Sequence, residues 1–272
     1  MLPIHGTNTV MPEVVEVEIV ARGLRKEIVN RTVTGVKSDS NIRFSDSGKI
    51  KNCTITMVER RGKYLICTLS GNKTMIIHLG MTGQLLYNSQ STGNIRAIFT
   101  LGKDTLTLRD PRGFGRVRVT DSGEDHGLAT LTKLGPEYND PLFTSEHVYS
   151  TVSKSRIGIK SQLLNQQILA GVGNYICDEV LHRANLNPAR VRLNLSQCIK
   201  LHESLLHVIH ASLECGGVSV KDYVHIDGTK GQYQNFFNVY GRSGEKCFTC
   251  GSILGRSVVA GRTTVHCGSC QK

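Results

Sequence analysis

The chain closes on two tight cysteine pairs, Cys247-x2-Cys250 and Cys267-x2-Cys270, with residues 251–266 between them. Each pair can bite a metal ion from one knuckle, and the spacer is long enough to close as a small hairpin. That is the pattern of a closed, tetrahedral four-cysteine zinc site. A segment this short cannot bury a core of its own, so the metal must hold its shape. Two disulfides or chance clustering would give the same spacing. The other cysteines, Cys53, Cys67, Cys177, Cys198 and Cys215, are scattered and read as small buried apolar side chains.

What such a module touches is suggested by charge. The chain carries 33 Lys+Arg against 22 Asp+Glu, a net +11, and the excess is spread along its whole length. A soluble protein can simply be basic, but the sharper reading is a surface for a polyanion, most simply nucleic acid. No run of about eighteen apolar residues is present, which excludes a membrane-spanning helix. The opening MLPIHGTNTV lacks the apolar stretch of a secretory signal, and nine cysteines without such a signal point to reduced thiols inside a cell.

Along the chain, Val17, Val20, Ala21, Leu24 and Ile28 share one helical face over residues 13–30, with Glu13, Glu16 and Glu18 around the first turn. From Thr32 to about Val119 the pattern changes to short β-rich runs: TITMVERR, KYLICTL, MIIHLGM, AIFTL, TLTLRD and RVRVT. Strands without intervening helices imply an antiparallel sandwich or barrel. Residues 136–150 read as a connector. Helices follow over Ile159–Leu169, from Tyr175 to about Ala184, and from Ser196 as N-cap to Cys215, ended by Gly216-Gly217. Residues 222–243, Gly-rich and polar, read as a mobile loop before the finger. The spacings of His202, His207 and His210 do not present a metal pair.

Between the first two of these helices lies Ala170-Gly171-Val172-Gly173-Asn174. Two glycines free the backbone just as a helix begins, so amide N–H groups can converge on an anion such as a DNA phosphate. Gly-rich helix connectors are common and usually only structural; the net charge and the finger downstream favour phosphate.

Taken in order, M-P-E-V-V-E-V-E (11–18), R-R-G-K-Y-L (60–65), H-L-G-M-T-G (78–83), D-P-R-G-F-G (110–115), L-A-G-V-G-N-Y (169–175), V-Y-G-R-S-G-E-K-C (239–247) and the terminal cysteines make a set. With these segments the chain resembles the formamidopyrimidine-DNA glycosylase / endonuclease VIII family of base-excision repair enzymes, from Met11 to Lys272. The resemblance implies an α+β protein: an N-terminal antiparallel β-sandwich with a leading helix, then a helical domain with a helix-two-turn-helix motif and a β-hairpin zinc finger. The implied division is an extension 1–10, a catalytic β-sandwich 11–135, a linker 136–150, a helical DNA-binding domain 151–240 with its motif at about 159–184, and the finger 241–272. A monomer binding double-stranded DNA with oxidised bases or abasic sites is implied, with one structural zinc on Cys247, Cys250, Cys267 and Cys270.

The resemblance also implies roles. Pro12 matches a nucleophilic N-terminal proline, whose secondary amine attacks the deoxyribose C1′ of a damaged nucleotide. Glu13 matches the general acid. Lys63 matches a phosphate-contacting lysine that donates a proton in β-elimination, and Arg262 a finger arginine that assists δ-elimination. Glu16 and Glu179 match carboxylates that order the site. Met81, Arg112 and Phe114 match the groups that fill the gap left by an extruded base. Arg156, Lys160 and Asn174 match positions that hold flanking phosphates. Taken singly, Glu13 and Glu16 would be read as complementing a helix dipole, Lys63 as a solvated strand charge, and Met81 and Phe114 as core.

Three departures stand out. Residues precede Met11, and Pro12 has a free secondary amine only without them; a start at Met11 is the expected explanation. The loop at Ser91-Thr92-Gly93-Asn94 lacks a histidine many relatives place there, and Glu13-Val14-Val15-Glu16 lacks a proline before the second Glu. The Met81/Arg112/Phe114 trio and the loop Asp227–Gln234 favour the formamidopyrimidine branch, acting on 8-oxoguanine opposite cytosine and on formamidopyrimidines. The alternatives are an endonuclease VIII-like enzyme for oxidised pyrimidines and a catalytically silent DNA-binding protein. A zinc-ribbon interaction module would explain the cysteines but neither the charge nor the M-P-E opening.

Overall fold

A computed structural model describes residues 11–89, 93–121, 128–220 and 223–272. The expected extension 1–10 and Ser91-Thr92 of the 91–94 loop lie outside the described residues. The chain divides into two compact units. The described residues up to Lys133 join Cys215–Gln232 in a β unit, and Leu134–Glu214 join Tyr233–Lys272 in a helical unit.

The β unit opens with α1 (Val14–Glu27), in which Val14, Val15, Val17, Val20, Ala21 and Leu24 are buried. So many β-branched residues are indifferent helix formers, and burial of this face supplies the stability that propensity does not. The strands are β1 (Gly35–Ser38), β2 (Ile55–Arg61), β3 (Tyr64–Leu69), β4 (Lys73–His78), β5 (Gln84–Tyr87), β6 (Ile95–Leu101), β7 (Asp104–Arg109) and β8 (Arg116–Asp121). They form two antiparallel four-stranded sheets, ordered β2-β3-β4-β8 and β1-β6-β7-β5. One aliphatic core runs through both sheets and α1: Leu65, Cys67, Met75, Ile77 and Val117 from one sheet, Leu85, Phe99, Leu106 and Leu108 from the other, Val20 and Leu24 from the helix. The alternation in β8, exposed Arg116 and Arg118 against buried Val117 and Val119, follows from the pleat. Sequence periodicity missed β1 and β5. Both are four-residue edge strands, defined by pairing with β6 and β7 rather than by any pattern of their own.

A short helix, α2 (Ala129–Thr132), precedes the helical unit, which contains α3 (Ser145–Val152), α4 (Ile159–Leu163), α5 (Asn174–Arg183) and α6 (Leu195–Glu214). Three expectations are corrected. The connector 136–150 is helical from Ser145, where the Thr144 hydroxyl accepts the His147 N–H. α4 stops at Leu163 and not at Leu169, because the Asn165 side chain caps the next turn at Gln167 N–H. The N-cap of α6 is Asn194, not Ser196: Asn194 Oδ1 accepts from Gln197 N–H and Gln197 Oε1 accepts from Asn194 N–H, a reciprocal box.

The segment expected as one mobile loop over 222–243 is anchored throughout its described length. Tyr223 and Ile226 are buried in the aliphatic core of the β unit. Tyr233, Phe237 and Tyr240 ring Tyr175 of α5 in the helical unit, with centroids 6.4, 5.7 and 6.2 Å away. Aromatic side chains spaced irregularly in a polar stretch carry no periodic signal, which is why this anchoring is invisible in sequence. The chain ends in a hairpin of β9 (Gly255–Val259) and β10 (Arg262–His266), turned by Ala260 and Gly261 with φ of 51° and 69°.

Candidate nucleic-acid repair site

In the β unit, Pro12 directly precedes Glu13, the N-cap of α1. Glu16 is almost wholly buried; its Oε2 accepts from Glu13 N–H at 2.9 Å and its Oε1 from Val218 N–H at 2.9 Å. A carboxylate taking N–H bonds with both oxygens is held by charge-assisted bonds and orders the chain at the start of the helix. Lys63 sits in the two-residue turn between β2 and β3, which opens on Gly62 at φ 55°. Its neighbour Tyr64 packs its ring at a tilt against His78, centroids 4.8 Å apart. Burial, reinforced by the charges of Lys63 and Arg116, pushes the His78 imidazole down to about 4. His78 Nδ1 accepts from Gly80 N–H at 3.1 Å, which puts the ring proton of the neutral side chain on Nε2.

Two loops carry Met81, Arg112 and Phe114, and a buried polar hub joins them. Asp110 is fully buried; Thr82 Oγ1 donates to its Oδ1 at 2.6 Å and Gly115 N–H to its Oδ2 at 2.7 Å, while Arg112 N–H donates to Thr82 Oγ1 at 3.2 Å. The loops are so close that a Cβ on Gly80 would lie 2.6 Å from the carbonyl carbon of Phe114. This backbone contact holds Phe114 46% exposed with the Arg112 guanidinium 4.8 Å above its ring. Phe114 is therefore not core, and Met81 is only half-buried. Thr82 and Asp110 lie inside the two motifs, and only the fold reveals that one hydrogen bond ties them.

In the helical unit, Lys160 corrects its expected role. Its ammonium is fully buried and donates to Asp178 Oδ1 at 2.6 Å and Thr264 Oγ1 at 2.8 Å, so a phosphate cannot reach it. It joins α4, α5 and β10 instead. Burial pushes the Asp178 carboxyl up to about 6 against the opposing pull of Lys160. Asp178 belongs to a stripe on α5 that faces the finger. Asn174 Nδ2 donates to Thr263 O at 3.0 Å, Asp178 Oδ2 accepts from Val265 N–H at 3.2 Å, and His182 Nε2 lies 3.6 Å from Cys247 Sγ. Positions 174, 178 and 182 recur every four residues, one helical face. The side-chain amide of Asn174 is thus turned to the hairpin. Glu179 accepts from the N–H groups of Asn238, Val239 and Tyr240 at 2.9, 2.9 and 2.8 Å, and so shapes the approach to the finger. Arg156 is exposed. Arg262, the first residue of β10, is exposed beside the Ala260-Gly261 turn.

Cys247, Cys250, Cys267 and Cys270 place their Sγ atoms within 4.8 Å of one another, with Cys250–Cys267 at 3.5 Å and Cys247–Cys270 at 4.0 Å. A tetrahedron with metal–sulfur bonds of about 2.3 Å has edges of about 3.8 Å, so the four sulfurs fit one metal ion. The finger's apolar core is small, with Val239, Leu254 and Val265 packed beside Cys247 and Cys267.

Residues 11–117 match the formamidopyrimidine-DNA glycosylase N-terminal domain, and residues 134–224 the formamidopyrimidine-DNA glycosylase H2TH domain. The chain is 34% identical to the formamidopyrimidine-DNA glycosylase of Pelotomaculum thermopropionicum, over 96% of this chain and 99% of that protein. The crystal structure of the MutM (Fpg) protein from Thermus thermophilus superposes with a TM-score of 0.90 at 36% identity, covering 96% of this chain and 98% of that one. The Lactococcus lactis Fpg, solved in complex with DNA containing an abasic site, superposes at 0.88 with 31% identity over 96% of this chain and 99% of that one. Matched over both units at this identity, the chain belongs to the formamidopyrimidine-DNA glycosylase family.

Proposed function

We propose that the chain is a bifunctional DNA glycosylase and abasic-site lyase that removes oxidised purines, 8-oxoguanine opposite cytosine and formamidopyrimidines, from double-stranded DNA. The observation that carries this reading is the exposed Arg112–Phe114 pair, braced from beneath by Asp110 and Thr82. An exposed ring on a rigid mount costs stability in water, and it is suited to entering a base stack from which a nucleotide has been extruded. Pro12 attacks C1′; as its nitrogen bonds to that carbon, the C1′–base bond breaks, and the base leaves with its electron pair and takes up the proton that the amine releases. Glu13 supplies the proton as the sugar ring opens. The resulting iminium withdraws electrons, and the strand is cut by β- and then δ-elimination, with Lys63 and Arg262 at the phosphates. This amine is free only in a chain that begins at Pro12. Four thiolates close a zinc ion completely, so the metal does no chemistry and serves as the brace of the Arg262 hairpin.

Borohydride trapping on a duplex containing 8-oxoguanine opposite cytosine tests the reading. A covalent protein–DNA adduct is expected, lost in Pro12→Gly, with intact mass showing Pro12 at the N-terminus of the active form. A retained leader or the absence of an adduct would leave a DNA-binding protein. A lesion panel separates the branches, since the L. lactis enzyme has also been solved with an oxidised pyrimidine containing DNA. Faster cleavage at thymine glycol than at 8-oxoguanine would overturn the choice of substrate.

A further inference from the structure

The described residues of the segment 215–232, namely 215–220 and 223–232, lie far from α1 in sequence yet run along it as a strap. A Cβ on Gly217 would stand 2.9 Å from Glu16 Oε1 and 3.0 Å from Ile19 Cδ1, at the first turn. Further along the helix, a Cβ on Gly23 would stand 2.7 Å from Ile226 Cδ1. The Ile226 carbonyl accepts from Tyr87 N–H at 2.7 Å, fastening the strap to β5. The strap also closes on itself, with Gln232 N–H donating to Cys215 O at 2.9 Å and Gly231 N–H to Ser219 Oγ at 2.9 Å. It is therefore a defined object pressed along the helix that begins next to Pro12.

Its polar contacts with α1 converge on Glu16. Val218 N–H, 202 positions away, donates to Oε1 at 2.9 Å; the Tyr223 hydroxyl, 207 positions away, donates to the Glu16 carbonyl at 2.8 Å. Tyr223 is 6% exposed and Glu16 1%. Burial and the adjacent Glu16 charge hold the Tyr223 phenol well above its ordinary value, so it stays a neutral donor at working pH. Glu16 passes the constraint on through Oε2 to Glu13 N–H, one residue from the proposed nucleophile.

We infer that Tyr223 and the Val218 N–H are positioning groups for the Pro12 nucleophile, with the strap fixing Glu16 and Glu16 fixing the backbone that aims Pro12. This rests on the catalytic reading above. The Glu16 carbonyl also faces along the helix, so Tyr223→Phe removes the constraint without leaving the helix unformed. A small displacement of a reacting group is enough to slow chemistry strongly, and a loss of about tenfold is expected here.

The experiment is single-turnover borohydride trapping at saturating abasic duplex, alongside the Kd for a duplex bearing an uncleavable tetrahydrofuran site and the thermal midpoint. Tyr223→Phe should trap about tenfold more slowly at unchanged Kd, and Val218→Pro, which deletes the N–H, should slow it further. If Tyr223→Phe lowers the melting point or the affinity while the folded protein traps at the wild-type rate, the residue is structural and the inference is wrong. If the wild-type chain itself gives no adduct, the catalytic reading fails and this inference with it. A wild-type adduct with an unslowed Tyr223→Phe overturns the inference alone.

Discussion

In the β unit the loops bearing Lys63, Met81, Arg112 and Phe114 grow from strands that share one aliphatic core, and the buried Asp110–Thr82 pair sets the angle between two of them. In the helical unit the finger has only a handful of apolar residues beneath it. It is held by the Lys160–Asp178–Thr264 cluster, by the Asn174, Asp178 and His182 stripe of α5, and by four convergent sulfurs. Where apolar area is ample, it fixes a loop and polar ties only adjust it; where it is scarce, directional bonds and a metal take over. The first kind of site keeps its fold when one polar contact is lost. The second does not.

The largest test of that contrast is removal of the proposed metal. A structural zinc contributes about 10 kcal/mol or more to modules this small, so Cys250→Ser should disorder the hairpin and abolish DNA binding while the β unit keeps its fold. Metal content and amide exchange of both units would read this out. Arg262→Ala should instead keep the metal and weaken binding by about tenfold, roughly 1.4 kcal/mol. Normal lesion binding by metal-stripped protein would break the comparison.

Next in size is the buried ion pair. Lys160→Met leaves Asp178 without its cation and should cost about 3–5 kcal/mol in urea unfolding. The double variant Lys160→Met/Asp178→Leu should recover much of that, because no charge is then left stranded. Equal losses in both would show that the polar ties contribute little to holding the finger.

A smaller effect separates the β unit by pH. His78 is lowered in the fold to about 4 from an ordinary 6.5, so below 6.5 the unfolded chain binds the proton first. The stability tied to neutral His78 is present above 6.5 and is lost as pH falls toward 4, by at most about 3–4 kcal/mol at 1.36 kcal/mol per unit. Melting points from about pH 7.5 to 4.5 should fall less steeply in His78→Gln than in the wild type. The smallest change is expected at Ala260, whose φ of 51° suits glycine. Ala260→Gly should stabilise the hairpin by about 0.5 kcal/mol, the strain relieved less the added chain entropy.

Much of the candidate site is legible because its residues lie in short motifs, each carried by one turn. H-L-G-M-T-G and D-P-R-G-F-G are separate segments in sequence, and their pairing through Asp110 exists only in the fold. Lys160 departs from its expected role for a physical reason: a lysine beside a phosphate and a lysine buried against a carboxylate look alike in sequence, and only the position of Asp178 and Thr264 decides. The same holds for residues 222–243, where irregularly spaced aromatic residues find their partners on α5 and in the β core.

By itself the sequence determined the two kinds of architecture, the four clustered cysteines and the excess of positive charge, since each is set by residue type and short-range spacing. The tertiary structure alone decided that Asn174, Asp178 and His182 face the finger, that Phe114 stands exposed under Arg112, and that a strap 202 positions away fastens Glu16. Those are long-range contacts, made by backbone groups every residue carries or by side chains whose partner is chosen only when the chain folds back. No local pattern records them.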